Sequence, residues 1–348
     1  RVLFRSHNHK PTRHSSPPTM SSRYSTRSTD SRKRTALGDI SNAGGAKKTG
    51  AKKASSDVRP TPPVAVSTTR SSFGGSKNIR ASQPHVNIDA VDANDPQACS
   101  KYVNEIYAHF RNTEGCHGPT ANYMSFQNDI NEKMRSILFD WLVEVHLKFR
   151  LKTETLYLTF NLIDRFLERV QVSRSKLQLV GVTCLLLASK YEEIYPPEVR
   201  DLVYVTDKAY TKQQILRMEG MVIRSLEFRL TVPTHYKFLV RYIKAAQCDT
   251  RTKLIAYYFC EKCMPEFDML EFKPSVIASA AVLLALKASD SSKNWTSTLE
   301  FYTKYTQEDI APCAKRIISI VQQAETASLQ AIRKKYAQQK FGDAAGAA

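Results

Sequence analysis

The sequence predicts an all-α fold, arranged as two tandem five-helix repeats behind a basic N-terminal segment that cannot build a core. Three observations carry this. Lys176–Lys190, KLQLVGVTCLLLASK, is apolar on every side, with Gln178, Thr183 and Ser189 the interruptions. A helix with no water-facing side belongs among other helices, and the 13 residues between its two lysines fall short of the ~20 needed to cross a bilayer. Second, KPSVIASAAVLLALK, Lys273–Lys287, aligns with this stretch without a gap at an offset of 97. AYTKQQILRMEGMVIRSL from Ala209 likewise matches KYTQEDIAPCAKRIISIV from Lys304 at an offset of 95. Such a period is too long for a solenoid and fits a duplicated domain. Third, no alternating apolar pattern of any length argues for strand.

The chain in order begins with a tail, taken as residues 1–94. The 348 residues carry a net charge of +18, and residues 1–90 hold 17 Lys/Arg against 4 Asp/Glu, so +13 sits in the first quarter. That quarter also has 25 Ser/Thr and three aromatics, Phe4, Tyr24 and Phe73. It cannot bury enough apolar surface to offset its chain entropy and is predicted to be disordered. It shows no apolar signal-peptide core and no membrane segment follows; Met20, opening MSSRYSTRS, is an alternative start to Arg1. Residues 91–348 hold 34 Lys/Arg against 29 Asp/Glu, which gives no electrostatic case for nucleic-acid binding.

Residues 95–130 are read as an extra N-terminal helix and a linker. Tyr102, Ile106 and Phe110 form one stripe over 100–112, and Gly115, Gly118 and Pro119 mark the linker. The first repeat spans 131–230. Its opening helix, 131–150, places Met134, Ile137, Leu138, Trp141, Leu142 and Val145 at helical spacing. Phe139, Val143 and Leu147 lie on further faces, more apolar surface than one core requires. Helix 153–170 is expected to be capped by Thr153. The central helix stops before Pro196-Pro197; a short helix from Glu198 and a longer one over 211–228 complete the five. The second repeat, 231–325, has helices at 234–245, 250–264, 274–288, 296–304 and 308–324, and 326–348 is a C-terminal extension. Seven cysteines, an odd number scattered through helices, fit a reducing compartment. Cys260 and Cys263 form a lone CxxC with no second pair to complete a zinc site, so neither a metal nor another cofactor is expected.

MRSILFDWLVEV, LIDRFL, KLQLVGVTCLLLASKYEEIYPPE and YTKQQILRME together resemble the cyclin family, with two cyclin boxes, over roughly residues 100–340. VHLKFRLKTETLYL, SKYEEIYPPE and LQAIRKKYAQQK resemble the B-type, mitotic subgroup more than the A-type. The resemblance implies a non-catalytic regulatory subunit of a cyclin-dependent kinase, acting at the G2/M transition and shared between nucleus and cytoplasm. It implies kinase binding by Lys190 and Glu219, with Tyr191, Glu193, Phe228, Tyr102 and Ile106 adding surface. In the second repeat Lys287 matches Lys190, but Ala314 stands opposite Glu219. Arg135 and Asp164 are implied to form an internal ion pair.

The resemblance implies a second site, a shallow patch of Met134, Ile137, Leu138, Trp141 and Gln178 that docks basic-x-leucine motifs of substrates and inhibitors. Glu144 would face the basic residue, and Ser136 replaces the usual alanine, dulling the patch. Arg224, Lys237 and Arg241 fall where B-type cyclins carry a pocket for phosphorylated motifs, the alternative being scattered surface bases. In the tail, RTALGDISN supplies Arg34, Leu37, Ile40 and Asn42 in the spacing of a destruction box, which implies a ubiquitin ligase of mitotic exit as a partner. Lys47, Lys48, Lys52 and Lys53 follow for ubiquitin attachment. Ser16-Pro17 and Thr61-Pro62 are candidate proline-directed phosphorylation sites, and the basic clusters 32–34 and 47–53 either serve nuclear import or are tail charge.

Three rival readings lack the features they need. A two-repeat transcription-initiation factor would want an N-terminal zinc ribbon, yet residues 1–90 contain no cysteine. A transcription-type cyclin is disfavoured by the destruction box and the B-like boxes. An enzyme would need a phosphate loop, a kinase motif or a nucleophile–histidine set, and none of these is present.

Overall fold

The computed structural model describes residues 85–116, 118–290 and 292–347. Among them are twelve α-helices and no strand. A leading helix, α1 (Val103–Thr113), precedes the first repeat, formed by α2 (Glu132–Phe149), α3 (Thr153–Arg169), α4 (Leu177–Glu192), α5 (Val199–Val205) and α6 (Lys212–Ser225). The second repeat is α7 (His235–Ala245), α8 (Thr250–Cys263), α9 (Pro274–Ser289), α10 (Ser297–Thr303) and α11 (Gln307–Gln322), and α12 (Ala331–Tyr336) closes the chain.

The duplication is visible in detail. In α4 every residue from Leu179 to Ser189 is buried, and α9 is buried from Ile277 to Leu283. Each is the hub of its repeat, packing on α3 and α6 or on α8 and α11. The last long helix of each repeat starts with a capping box, Thr211 with Gln214 and Thr306 with Asp309, 95 residues apart. These boxes satisfy free amides at the helix start. Gly181 of α4 lets α2 approach closely: a β-carbon there would lie 2.7 Å from Leu138 Cδ1.

Four sequence expectations change here. Residues 85–94, assigned to the disordered tail, lie on the second repeat. The Val86 amide donates to Thr298 Oγ1 (3.1 Å), Ile88 and Asp89 are buried, and Asp89 pairs with Arg241. Two apolar or paired side chains in the last stretch of the tail are enough to hold it. Thr153 does not cap α3; Lys152 is the N-cap, and its side chain makes no capping bond. The carboxylate that does the work comes from Glu193, which accepts from the Lys152 amide (2.7 Å) and from Thr155 Oγ1. Phe139 and Val143, read as further faces of an over-apolar helix, are fully buried, with Phe139 stacked on Phe160 at 4.0 Å. Finally, the extension contains α12, which sequence periodicity could not show in six residues.

The ends of the described chain fasten the repeats together. Before the first repeat, α1 rests on the second: Tyr107 OH donates to the Lys237 carbonyl (2.9 Å), and Tyr107 and Phe110 meet Phe238 edge-on. After the second repeat, α12 packs on both α2 and α8. Asp140 of α2 accepts from the Ala331 amide (2.9 Å), while Lys335 and Tyr336 reach the buried Glu261 of α8 at 2.7 Å.

Candidate functional site

At the C-terminal end of α4 the buried helix surfaces. Lys190 Nζ donates to Glu219 Oε1 of α6 at 2.6 Å, with Lys190 about half exposed (47%) and Glu219 largely shielded (16%). Tyr191 follows, 45% exposed, its hydroxyl 2.5 Å from Thr231 Oγ1. Phe228 stands 71% exposed just past α6, on a residue with φ +59°. A large ring in water on a left-handed backbone position is costly on two counts, solvent exposure and steric crowding. Apolar surface displayed beside an ion pair in this way is a mark of a binding face.

The structure brings Lys190 and Glu219 together and puts Tyr191 and Phe228 around the same helix ends. It leaves Tyr102, the N-cap of α1, and Ile106 within α1 exposed. Glu193 is half-buried, with its Oε1 accepting from the Lys152 amide and from Thr155 Oγ1 at the start of α3. Sequence reasoning missed Ile194, Tyr195 and Tyr204, which are 78%, 91% and 70% exposed. For Ile194 and Tyr195 the signal was present: apolar residues beside the Pro196-Pro197 turn belong to no buried stripe.

The patch on α2 and α4 is partly as expected. Met134, Ile137, Trp141 and Gln178 are half-buried and Glu144 is exposed. Leu138, however, is fully buried against Gly181 and offers no surface. Its place in the stripe could not separate core from rim, because consecutive residues 137 and 138 differ in facing by about 100°. The Ser136 hydroxyl donates to the Pro265 carbonyl (2.7 Å) at the junction between repeats.

Arg135 is buried and makes a bidentate pair with Asp164, at 2.6 and 2.8 Å, and donates through Nη1 to the Pro265 carbonyl at 3.0 Å. Desolvation alone would lower the guanidinium's pKa, but the Asp164 charge overrides it and fixes the cation. Tyr123 also donates to Asp164 (2.7 Å), and burial with that charge pushes its hydroxyl well above the usual value.

Of the three bases expected to form a phosphate pocket, one is already engaged by a carboxylate. Arg224 is exposed on α6, Lys237 is half-buried, and Arg241 is buried. Arg241 holds Asp89 through both terminal nitrogens, one at 2.6 Å, and Lys244 reaches Asp89 at 3.1 Å and Asp92. Burial would raise the Asp89 carboxyl, and the hydrogen bonds from Arg241 and Lys244 outweigh it and hold it below the ordinary carboxylate range. Asp89 was missed because it lay in a stretch assigned to the tail. Cys260 and Cys263 are buried free thiols, pushed upward by desolvation. The destruction-box residues Arg34, Leu37, Ile40 and Asn42 lie outside the described residues.

These features define a class: a tandem-repeat helical bundle with an open apolar and aromatic face on one repeat. The chain belongs to the cyclin family, matching its N-terminal domain over residues 105–231 and its C-terminal domain over 233–347. Its relatives include B-type cyclins. It is 46% identical over 260 residues to Cyclin-B2-1 of Oryza sativa subsp. japonica, covering 75% of this chain and 62% of that one. It is 44% identical over 254 residues to G2/mitotic-specific cyclin-1 of Medicago sativa subsp. varia, covering 73% and 59%. The chain thus spans about 62% of the length of such relatives. A viral cyclin from herpesvirus saimiri shares the fold, with a TM-score of 0.57 at 18% identity over 62% of this chain and 96% of that one.

Proposed function

We propose that this chain is a mitotic, non-catalytic subunit that binds and activates a cyclin-dependent serine/threonine kinase through the first repeat. The observation that carries this reading is the Lys190–Glu219 pair beside exposed Tyr191 and Phe228. Kinase phosphoryl transfer needs a lysine–glutamate pair between a strand and the C-helix, and C-helix position governs it. A rigid face that binds the inward C-helix better than the outward one shifts that equilibrium by the difference in affinity. Lys190 leaves α4 directly after its buried run from Leu179 to Ser189, and Glu219 projects from α6, so the core sets the position of the pair. The test mixes this chain with a purified, inactive cyclin-dependent kinase and follows phosphate transfer to a serine-proline peptide. Activation is expected with the parent chain and lost with Lys190→Ala/Glu219→Ala. A parent chain that binds no such kinase sinks the proposal.

The half-buried Met134, Ile137, Trp141 and Gln178, with Glu144 at the edge, are the proposed dock for basic-x-leucine motifs. Trp141→Ala should slow phosphorylation of motif-bearing substrates and spare a motif-free peptide; equal losses on both would refute the dock. Degradation at mitotic exit is proposed to run through Arg34 and Leu37, with nuclear and cytoplasmic pools varying through the cycle. Arg34→Ala/Leu37→Ala should prolong the half-life after metaphase, and unchanged turnover would remove the degron from this reading.

A further inference from the structure

The helix α1 fully buries none of its eleven residues, and a helix of that length is marginal in water by itself. Its place on the second repeat therefore depends on a few ties. One of them is Arg241 of α7, a buried cation. Its guanidinium lies 5.1 Å from the Tyr107 ring centre of α1 and 4.8 Å from the Tyr302 ring centre of α10. Its Nη2 donates both to Asn104 Oδ1 of α1 (3.1 Å) and to Asp89 Oδ2 (2.6 Å). A buried guanidinium robbed of its carboxylate is strongly destabilising. The cation that holds α1 stays in place because Asp89 neutralises it.

Asp89 is delivered by residues 85–92, which lie on α10 as a strap. His85 stacks on Phe301 with ring centres 3.5 Å apart. The Tyr302 hydroxyl donates to the Val86 carbonyl (3.3 Å) and accepts from the amide of buried Ile88 (3.2 Å). At the other end of the strap, Ser100 Oγ, just before α1, donates to the Asp92 carbonyl (2.8 Å). The helix so fastened lies next to the proposed kinase face. Tyr191 of that face is bonded to Thr231, and Lys237, in the first turn of the α7 helix that follows, accepts from Tyr107 through its carbonyl. Tyr102 and Ile106, one turn apart, make an exposed apolar edge on α1.

We propose that the strap positions part of the kinase interface: Asp89, acting through Arg241, fixes α1 so that the kinase covers Tyr102 and Ile106. This rests on the kinase-binding reading above and extends it to a segment outside both repeats. Asp89 is a positioning residue; it is buried and makes no contact with the kinase.

The test measures the affinity of the full chain for the same purified kinase by calorimetry. Tyr102→Ala/Ile106→Ala is expected to weaken binding roughly tenfold, the size of one truncated interface anchor. Asp89→Asn, which keeps the shape and removes the charge, should weaken it by a smaller factor. Asp89→Glu, which keeps the charge, should retain most of the binding. A mutant cycle then separates positioning from general stability. Asp89→Asn should add nothing to Tyr102→Ala/Ile106→Ala, because the edge it positions is already gone, yet should add its full factor to Phe228→Ala. Amide exchange checks the structural step: Asp89→Asn should quicken α1 and leave α4 protected. Unchanged exchange in α1 would overturn the proposal. So would an equal added loss in both backgrounds, which would mark a general weakening of the fold. A parent chain that binds no kinase removes the kinase reading and this extension with it. A parent that binds, with Asp89→Asn binding equally well, removes the extension alone.

Discussion

The two repeats share a skeleton and differ at the two places where the first is open. Gln178 and Ser275 occupy matching positions at the start of the hub helices. Gln178 is half-buried at the edge of the apolar patch on α2 and α4. Ser275 is fully buried because Glu114, just past α1, accepts from its amide (2.9 Å) and its hydroxyl (2.7 Å). Tyr107 and Phe110 of α1 then cover Phe238 of α7. At the other end of the hubs, Lys190 meets Glu219, while Lys287 turns to Asn294 in the following loop (3.0 Å) and Ala314 is buried. One repeat presents a groove and a charged pair; the other has its groove filled from within. Duplication therefore preserved the packing and not the surface, and a few substitutions suffice for that.

This contrast can be broken or sharpened by substitution. The largest effect belongs to the junction. Arg135→Ala leaves Asp164 buried without its cation and strips the Pro265 carbonyl of a donor. A loss of roughly 3–5 kcal/mol is expected, measured by denaturant unfolding; a loss under 1 kcal/mol would mean the site relaxes around water. Glu114→Gln should cost about 1–3 kcal/mol, because one oxygen acceptor facing Ser275 becomes a donor. Amide exchange in α1 should quicken while α2 stays protected, and uniform exchange would show that α1 is held by its rings alone. The smallest effect is at the half-exposed pair. Lys190→Ala/Glu219→Ala should shift stability by less than about 1 kcal/mol, even where it abolishes kinase activation. Stability loss as large as that of Arg135→Ala would make the pair a structural device.

Much of this contrast was legible in sequence. The Lys176/Lys273 offset located both hubs, and Ala314 opposite Glu219 already separated the repeats. Long helices were legible because burial enforces their pattern over many turns. What stayed hidden depends on contacts distant in sequence. Glu193 caps a helix that begins 40 residues earlier, Asp89 finds Arg241 across 152 residues, and Glu114 reaches Ser275 across 161. No local period encodes such pairings. Leu138 was misplaced for a different reason: adjacent members of one stripe divide between core and rim, and only the neighbouring helix decides which is which.

The crossing of the two ends has a consequence for how such a chain can be cut or recombined. The segment that precedes the first repeat lies on the second, and the segment that follows the second reaches back to the first. A fragment ending near residue 231 would keep α1 but lose the surface it covers, and would lose α12 from α2. A fragment beginning there would lose the lid over Phe238 and Ser275. Two copies of one ancestral unit have thus become a single indivisible piece, in which neither half is a complete object.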